Sequence, residues 1–247
     1  MSDWGLAILG ISFLLIIVFT LFKRQSERRT LRVIPAFEQL RKTIDLSVED
    51  GTRLQISLGS GGLLGPQNAS YLIGLTLLRQ VSLLAADSDQ PPVATSGNGL
   101  QNILAHDVLR KTYHELGLSD EYHHRLARVT GLNPSSYGAG TMPLILDNFA
   151  ASSALFGSFR EEAGLITAAT QRRKAFSTGG TEDLIGQSIL YASTDQALVG
   201  EELFATGAYL EAGSAHLASL RMQDILRWLL IMAIVGLAFR SMLAAFV

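Results

Sequence analysis

The chain has 247 residues, 48% of them hydrophobic and 17% charged, with a net charge of −2 and no cysteine. Such a length allows one large or two small domains. The near-neutral balance provides no electrostatic footprint for nucleic acid, and the lack of cysteine excludes disulfides, thiolate chemistry and cysteine–zinc sites.

Trp4 to Phe22 is an uncharged run of 19 residues. At about 1.5 Å per residue it nearly matches a hydrocarbon core of about 30 Å. A signal peptide would place basic residues first. Here Asp3 precedes the run and Lys23, Arg24, Arg28, Arg29 and Arg32 follow it. The expectation is an uncleaved anchor over 1–24, with the central domain, 25–222, in the cytoplasm. The basic run is a topology signal, and contact with anionic membrane lipid is a further role it would allow.

Pro35 to Asp50 reads as a helix with Phe37, Leu40, Ile44 and Val48 on one face. Arg53 to Leu58 alternates as a strand, with Leu54, Ile56 and Leu58 pointing one way and Arg53, Gln55 and Ser57 the other. Gly59, Ser60, Gly61 and Gly62 break it. A helix apolar nearly all round follows, from about Ser70 to Ala86, which predicts burial on more than one face. Pro92 to Thr95 is a short strand ending in Ser96-Gly97-Asn98-Gly99, and Leu100 to Leu116 is a helix stopped by Gly117.

Glu121 to Val129 reads as a polar helical stretch, Pro134 to Gly140 as small and flexible, and Met142 to Leu146 as strand or helix. Ser153 to Phe156 is a strand with Gly157-Ser158 as its turn, followed by a helix over Arg160 to Lys174. Ala175 to Thr178 is a strand with Gly179-Gly180-Thr181 as its turn, followed by a helix over Glu182 to Ser193. Ala197 to Leu210 is rich in small residues, and Gly207 and Ala208 would let another backbone approach. His216 to Arg227 runs as a helix into Trp228 to Val247, giving a second expected membrane helix over 223–247. Arg240 would then snorkel to the outer headgroups, leaving both termini outside.

Strand–helix alternation predicts an α/β fold: a Rossmann-like, doubly wound, mostly parallel sheet of about four or five strands, flanked by transmembrane helices. Ligands of such sheets sit beyond the carboxyl ends of the strands. The candidate ligand-binding residues are therefore Gly59, Ser60, Gly61, Gly62, Ser96, Gly97, Gly99, Gly157, Ser158, Gly179 and Gly180. Backbone N–H groups of Gly59–Gly62 and Gly97–Gly99 would receive an anion. The competing reading is a set of tight turns without ligand. Gly59-Ser60-Gly61 opens like a dinucleotide fingerprint, but the third glycine belongs at Leu64 and Gly65 stands one place late. No Gly-Lys-Ser/Thr follows, so this is not a P-loop.

Catalytic signatures are sparse. His106 with Asp107 and His123 with His124 are adjacent pairs whose side chains diverge on a helix, so no metal site is expected. No serine lies in Gly-x-Ser-x-Gly. Glu201, beside Glu202 in an apolar stretch, is the possible functional acid. Structural pairing with Arg160, Arg221 or His216 is the competing role. No cofactor is expected.

The runs RVIPAFEQLRKTIDLSVEDGTRLQISLGSGGLLG, PPVATSGNG, MPLILD, LVGEELFATGAYL and HLASLRMQDILRWLL resemble an uncharacterised family of bacterial, Chloroflexi-like, membrane-anchored proteins carrying a domain of unknown function. The resemblance implies a membrane location and one continuous domain, and brings no activity or catalytic residue. The expected function is a scaffold or interaction protein, homo-oligomeric on the cytoplasmic face of the inner membrane, with other membrane proteins as further partners. The alternative is a ligand- or nucleotide-binding sensor module using the glycine-rich strand ends.

Overall fold

The structure, a computed structural model, describes residues 31–62, 69–147 and 150–245. They divide into a compact unit, Arg32–Leu210, and a second unit that holds the C-terminal helix. In chain order the compact unit contains α1 (Pro35–Glu49), β1 (Arg53–Gly59), α2 (Ala69–Ala85), β2 (Val93–Ser96) and α3 (Gly99–Glu115). These are followed by β3 (Ala127–Val129), α4 (Pro134–Leu146), β4 (Ala150–Ser158) and α5 (Glu162–Arg172), then β5 (Phe176–Gly180), α6 (Leu184–Ser193), β6 (Gln196–Leu198) and the short α7 (Thr206–Tyr209). The second unit contains α8 (Ser214–Ala245).

The six strands form one sheet in the order β3-β2-β1-β4-β5-β6, every pairing parallel. The chain winds outward from β1 through β2 to β3, then returns to the centre and winds the other way from β4 to β6. This is the doubly wound order, and its reversal point lies between β1 and β4.

Both faces of the sheet are covered, as a parallel sheet requires. Leu54, Ile56 and Leu58 pack with Phe37, Leu40 and Ile44 of α1, Leu77, Leu78 and Val81 of α2, and Leu109 and Tyr113 of α3. Leu155 on the opposite face packs with Tyr137 and Ile145 of α4, Ile166 of α5 and Leu190 of α6. Phe37 also stacks on Tyr209 at 4.7 Å, and the Tyr209 hydroxyl donates to Arg32 O, which fastens α7 to the entrance of α1.

Gln55 and Ser57, alternate residues of β1, are polar yet fully buried. Gln55 Nε2 donates to Ser57 Oγ at 2.8 Å and to Thr95 Oγ1 at 2.9 Å, and Gln55 Oε1 accepts from Ser153 Oγ at 2.7 Å. Tyr137 closes this network: its hydroxyl accepts from Gly59 N at 3.2 Å and lies 3.3 Å from Thr95 Oγ1. Buried polar atoms are tolerated because they satisfy one another.

Several elements differ from expectation. The sheet has six strands rather than four or five. Ala127–Val129 pairs with β2 as β3, where a helical stretch was expected. Pro134–Gly140 is the start of α4, because Pro134 fits the first helical position and Asn133 and Ser136 form a capping box. Gln196–Leu198 pairs with β5 as β6.

The flanking transmembrane helices are corrected. Among the described residues, no helix is long and apolar enough to cross a membrane. In α8 the charges Arg221, Asp224 and Arg227 precede Trp228. The uncharged run from Trp228 to Phe239, closed by Arg240, is then only about 18 Å at 1.5 Å per residue, against a core of roughly 30 Å. The expected anchor at Trp4–Phe22 lies outside the described residues. The two-span inner-membrane placement, with a cytoplasmic central domain, is therefore set aside.

Tyr137→Phe is expected to cost about 1–3 kcal/mol by stranding the buried Gly59 N–H. Equilibrium urea denaturation would show a lower midpoint with an unchanged slope. An unaltered midpoint would mean that Tyr137 does not support β1.

Candidate functional site

The reversal point brings the end of β1 against the end of β4, and glycine makes this contact possible. Gly59 has φ +89°, a conformation open to glycine, and an added Cβ would lie 2.2 Å from Ser158 O. A Cβ on Gly157 would lie 1.9 Å from Leu58 O. Ser158 O receives the N–H groups of both Ser60 (3.2 Å) and Gly61 (3.3 Å), and Gly97 N donates to Gly59 O at 2.9 Å. The N–H groups of Gly59, Ser60, Gly61 and Gly97 are thus engaged within the fold.

The other candidates separate by position. Ser96 ends β2, buried, its carbonyl accepting from Thr130 N. Gly97 abuts Ser60, where an added Cβ would come within 2.7 Å of Ser60 Cα. Gly157, Ser158, Gly179 and Gly180 belong to strands β4 and β5 rather than to turns. Gly179 and Gly180 leave room for Leu155, Leu190, Leu198 and Leu203. Gly62 and Gly99 alone among the candidate glycines face open space. Glu201 is exposed in a 3-10 turn after β6, with β4 and β5 between it and β1. Its neighbour Glu202 pairs with Arg32 at 3.0 Å.

Side chains that the sequence did not single out surround the reversal point. Glu162, at the first turn of α5, is 1% exposed. Its Oε1 accepts from Ser60 Oγ at 2.5 Å and its Oε2 from Arg160 N at 3.1 Å. The carboxylate thus sits where the N-terminus of α5 favours negative charge. A second acid, Glu182, follows β5. Burial raises its pKa, and Asp183 adds to the rise. The Ser70 hydroxyl and N–H partly offset this, yet neither Ser70 Oγ nor Glu182 Oε1 has a partner at hydrogen-bonding geometry. The geometry governs: Ser70 and Glu182 are near neighbours, not a bonded pair. The two serines stand at the start of the β1–α2 connection and on the first turn of α2.

Gln101, on the first turn of α3, is fully buried. Its Nε2 donates to Gly61 O at 2.5 Å, which fixes the amide orientation because a carbonyl can only accept. Its Oε1 has no partner. Tyr71 OH donates to Gln101 O at 2.6 Å and ties α2 to α3. Thr181 Oγ1 accepts from Phe159 N at 3.0 Å and ties the β4 and β5 exits. A weak sequence signal for the two acids exists: each stands within four residues of a strand's carboxyl end. Among the described residues, no group of three or more His, Asp or Glu is placed to hold a metal ion.

Residues 2–246 match the model of a family described as a domain of unknown function, DUF6754. The chain belongs to this family. No curated protein and no solved structure matches it. The match accounts for the domain-of-unknown-function part of the resemblance and carries neither a bacterial source nor a membrane anchor.

Two outcomes follow. Gly157→Ala should cost about 2–3 kcal/mol through the clash with Leu58 O, whereas Gly62→Ala should change stability by less than about 0.5 kcal/mol. Parallel urea titrations check this, and equal effects would refute the packing account. Glu182→Gln should be more stable than the native chain at pH 7. The native carboxyl holds its proton above the ordinary 4.5 when folded, so its contribution falls as pH rises past that value. The two melting temperatures should converge below about pH 4, and a native chain that melts higher at pH 7 would contradict the assignment.

Proposed function

We propose that the compact unit is a small-molecule-binding module, with its ligand over the reversal point between β1 and β4. The observation that carries this reading is the coincidence of three features at that point. The strand order reverses there, which is where doubly wound sheets bind their ligands. Gly62 and Gly99 are exposed next to it, with no atom standing against them. Buried acceptor atoms of Gln101 and Glu182 lack partners around it. Buried polar atoms without partners are uncommon in folded proteins, and a bound ligand is one way to satisfy them. The acyl-transfer and metal-dependent alternatives have no matching constellation among the described side chains.

A second reading, self-association as a scaffold, is favoured by one observation. Trp228, Leu230, Met232, Ile234, Val235 and Leu237 of α8 are all exposed, and a run of exposed apolar side chains of this kind suits an interaction surface. Self-association through the small-residue stretch before α8 is less favoured, because Ala205, Thr206, Gly207 and Ala208 are buried within the compact unit.

Native mass spectrometry of the gently isolated full chain tests both. A stoichiometric small-molecule mass, lost in Gly62→Leu while the melting temperature holds, is the expected result. Clean protein mass in a uniform large assembly would instead favour the scaffold.

A further inference from the structure

The atoms at the reversal point have a consistent polarity, and it is opposite to that of a phosphate site. Phosphates are held by unpaired N–H groups of glycine turns and helix N-termini. Here the N–H groups of Gly59, Ser60, Gly61 and Gly97 already donate within the fold. The α5 N-terminus is occupied by its own Glu162, with Arg160 N bonded to the carboxylate. The α6 N-terminus is occupied by Asp183, which accepts from Ile185 N at 2.9 Å and Gly186 N at 3.2 Å. Asn98 caps α3 by accepting from Leu100 N. At the starts of α5 and α6 an incoming anion would meet carboxylates rather than donors.

What is left open is two acceptor oxygens and one hydroxyl. Glu182 Oε1, Ser70 Oγ and Gln101 Oε1 are buried atoms without partners, and Ser70 and Gln101 are fully buried residues. The connections after β1, β2, β4 and β5 carry Glu161, Glu162, Glu182 and Asp183, and Arg160 is their one cation among the described residues. Arg160 is already shared, at 3.8 Å and 3.9 Å, between Glu161 and Asp183. A carboxylate accepts at four lone-pair sites, whereas an ammonium only donates, through three N–H bonds. The complement of this edge is a positively charged donor.

Resting on the binding-module reading above, we infer that the ligand is a small cationic amine whose ammonium or guanidinium group sits against Glu182 and Ser70, and that phosphate-bearing nucleotides are excluded. Glu182 supplies the charge. Ser70 Oγ, with no partner in the fold, accepts a second N–H. Gln101, oriented by Gly61, offers its Oε1 to a donor elsewhere on the ligand.

Titration calorimetry of the full chain with putrescine, agmatine, ATP and inorganic phosphate tests this. The expected result is binding of putrescine or agmatine, no heat from ATP or phosphate, and weakening by about tenfold or more in Glu182→Gln, the loss of one charge-assisted hydrogen bond. Thermal melting of the same variant shows that it is folded. The conservative Ser70→Ala should also weaken amine binding, by a smaller factor. Amine binding that Glu182→Gln leaves unchanged overturns the placement. ATP or phosphate binding, retained or tightened in that variant, overturns the cationic class and leaves the binding module standing. Absence of amine binding, together with a stoichiometric mass of other chemistry in the native spectrum, does the same. No binding by any probe and no such mass overturns both.

Discussion

The architecture depends on one contact, the approach of the end of β1 to the end of β4. Ser158 O accepts two N–H groups from the turn after β1, and Gly59 and Gly157 let the backbones meet at distances no side chain permits. In a doubly wound sheet these are the two central strands, one opening each half. A shift there would be transmitted to every outer strand. The turn's path also decides where Ser60 can meet Glu162 and where Gly61 can meet Gln101. Fold and candidate site thus share a single constraint.

Glycine-rich strand ends are commonly associated with phosphate recognition, because glycine exposes backbone N–H groups. In this chain the same composition has a different physical cause. Gly59 and Gly157 bring strand to strand, and the N–H groups of Gly59, Gly61 and Gly97 are consumed within the fold. Gly186 illustrates the same logic away from the edge, since a Cβ there would lie 2.2 Å from Phe159 O. The polar character of the edge comes instead from side chains on the first turns of the helices. The carboxylates among them, Glu162 and Glu182, are what make a cation the proposed occupant of this edge.

The buried network under α4 fulfils a separate role. Gln55, Ser57, Thr95, Ser153 and Tyr137 span three neighbouring strands and a helix. Hydrophobic packing alone tolerates small slips between strands, whereas hydrogen bonds of fixed length do not. Tyr137, whose hydroxyl is kept protonated by burial, carries this order to Gly59 N at the edge. The same register that places Ile56 beside Ala94 and Ala154 therefore also positions the turn where the ligand is proposed.

Local signals in the sequence were enough to determine the alternation of strands and helices, the parallel class of the sheet and the amphipathic face of α1, because side-chain period and turn chemistry act over a few residues. They also located Gly59–Gly62 as the central turn. Tertiary structure alone decided the rest. The short strands β3 and β6 exist because a neighbouring strand offers hydrogen bonds, not because Ala127–Val129 or Gln196–Leu198 has a strong preference of its own. Alternation places Gln55 and Ser57 on the face opposite Leu54 and Ile56 but does not show that they are buried, since whether a face is covered depends on helices distant in sequence. Glu162 stands 102 residues from Ser60 and carries no motif, so their pairing emerges only when β4 returns beside β1. Chain order cannot reveal which N–H groups stay free, because that depends on which carbonyl lies opposite them in the folded protein.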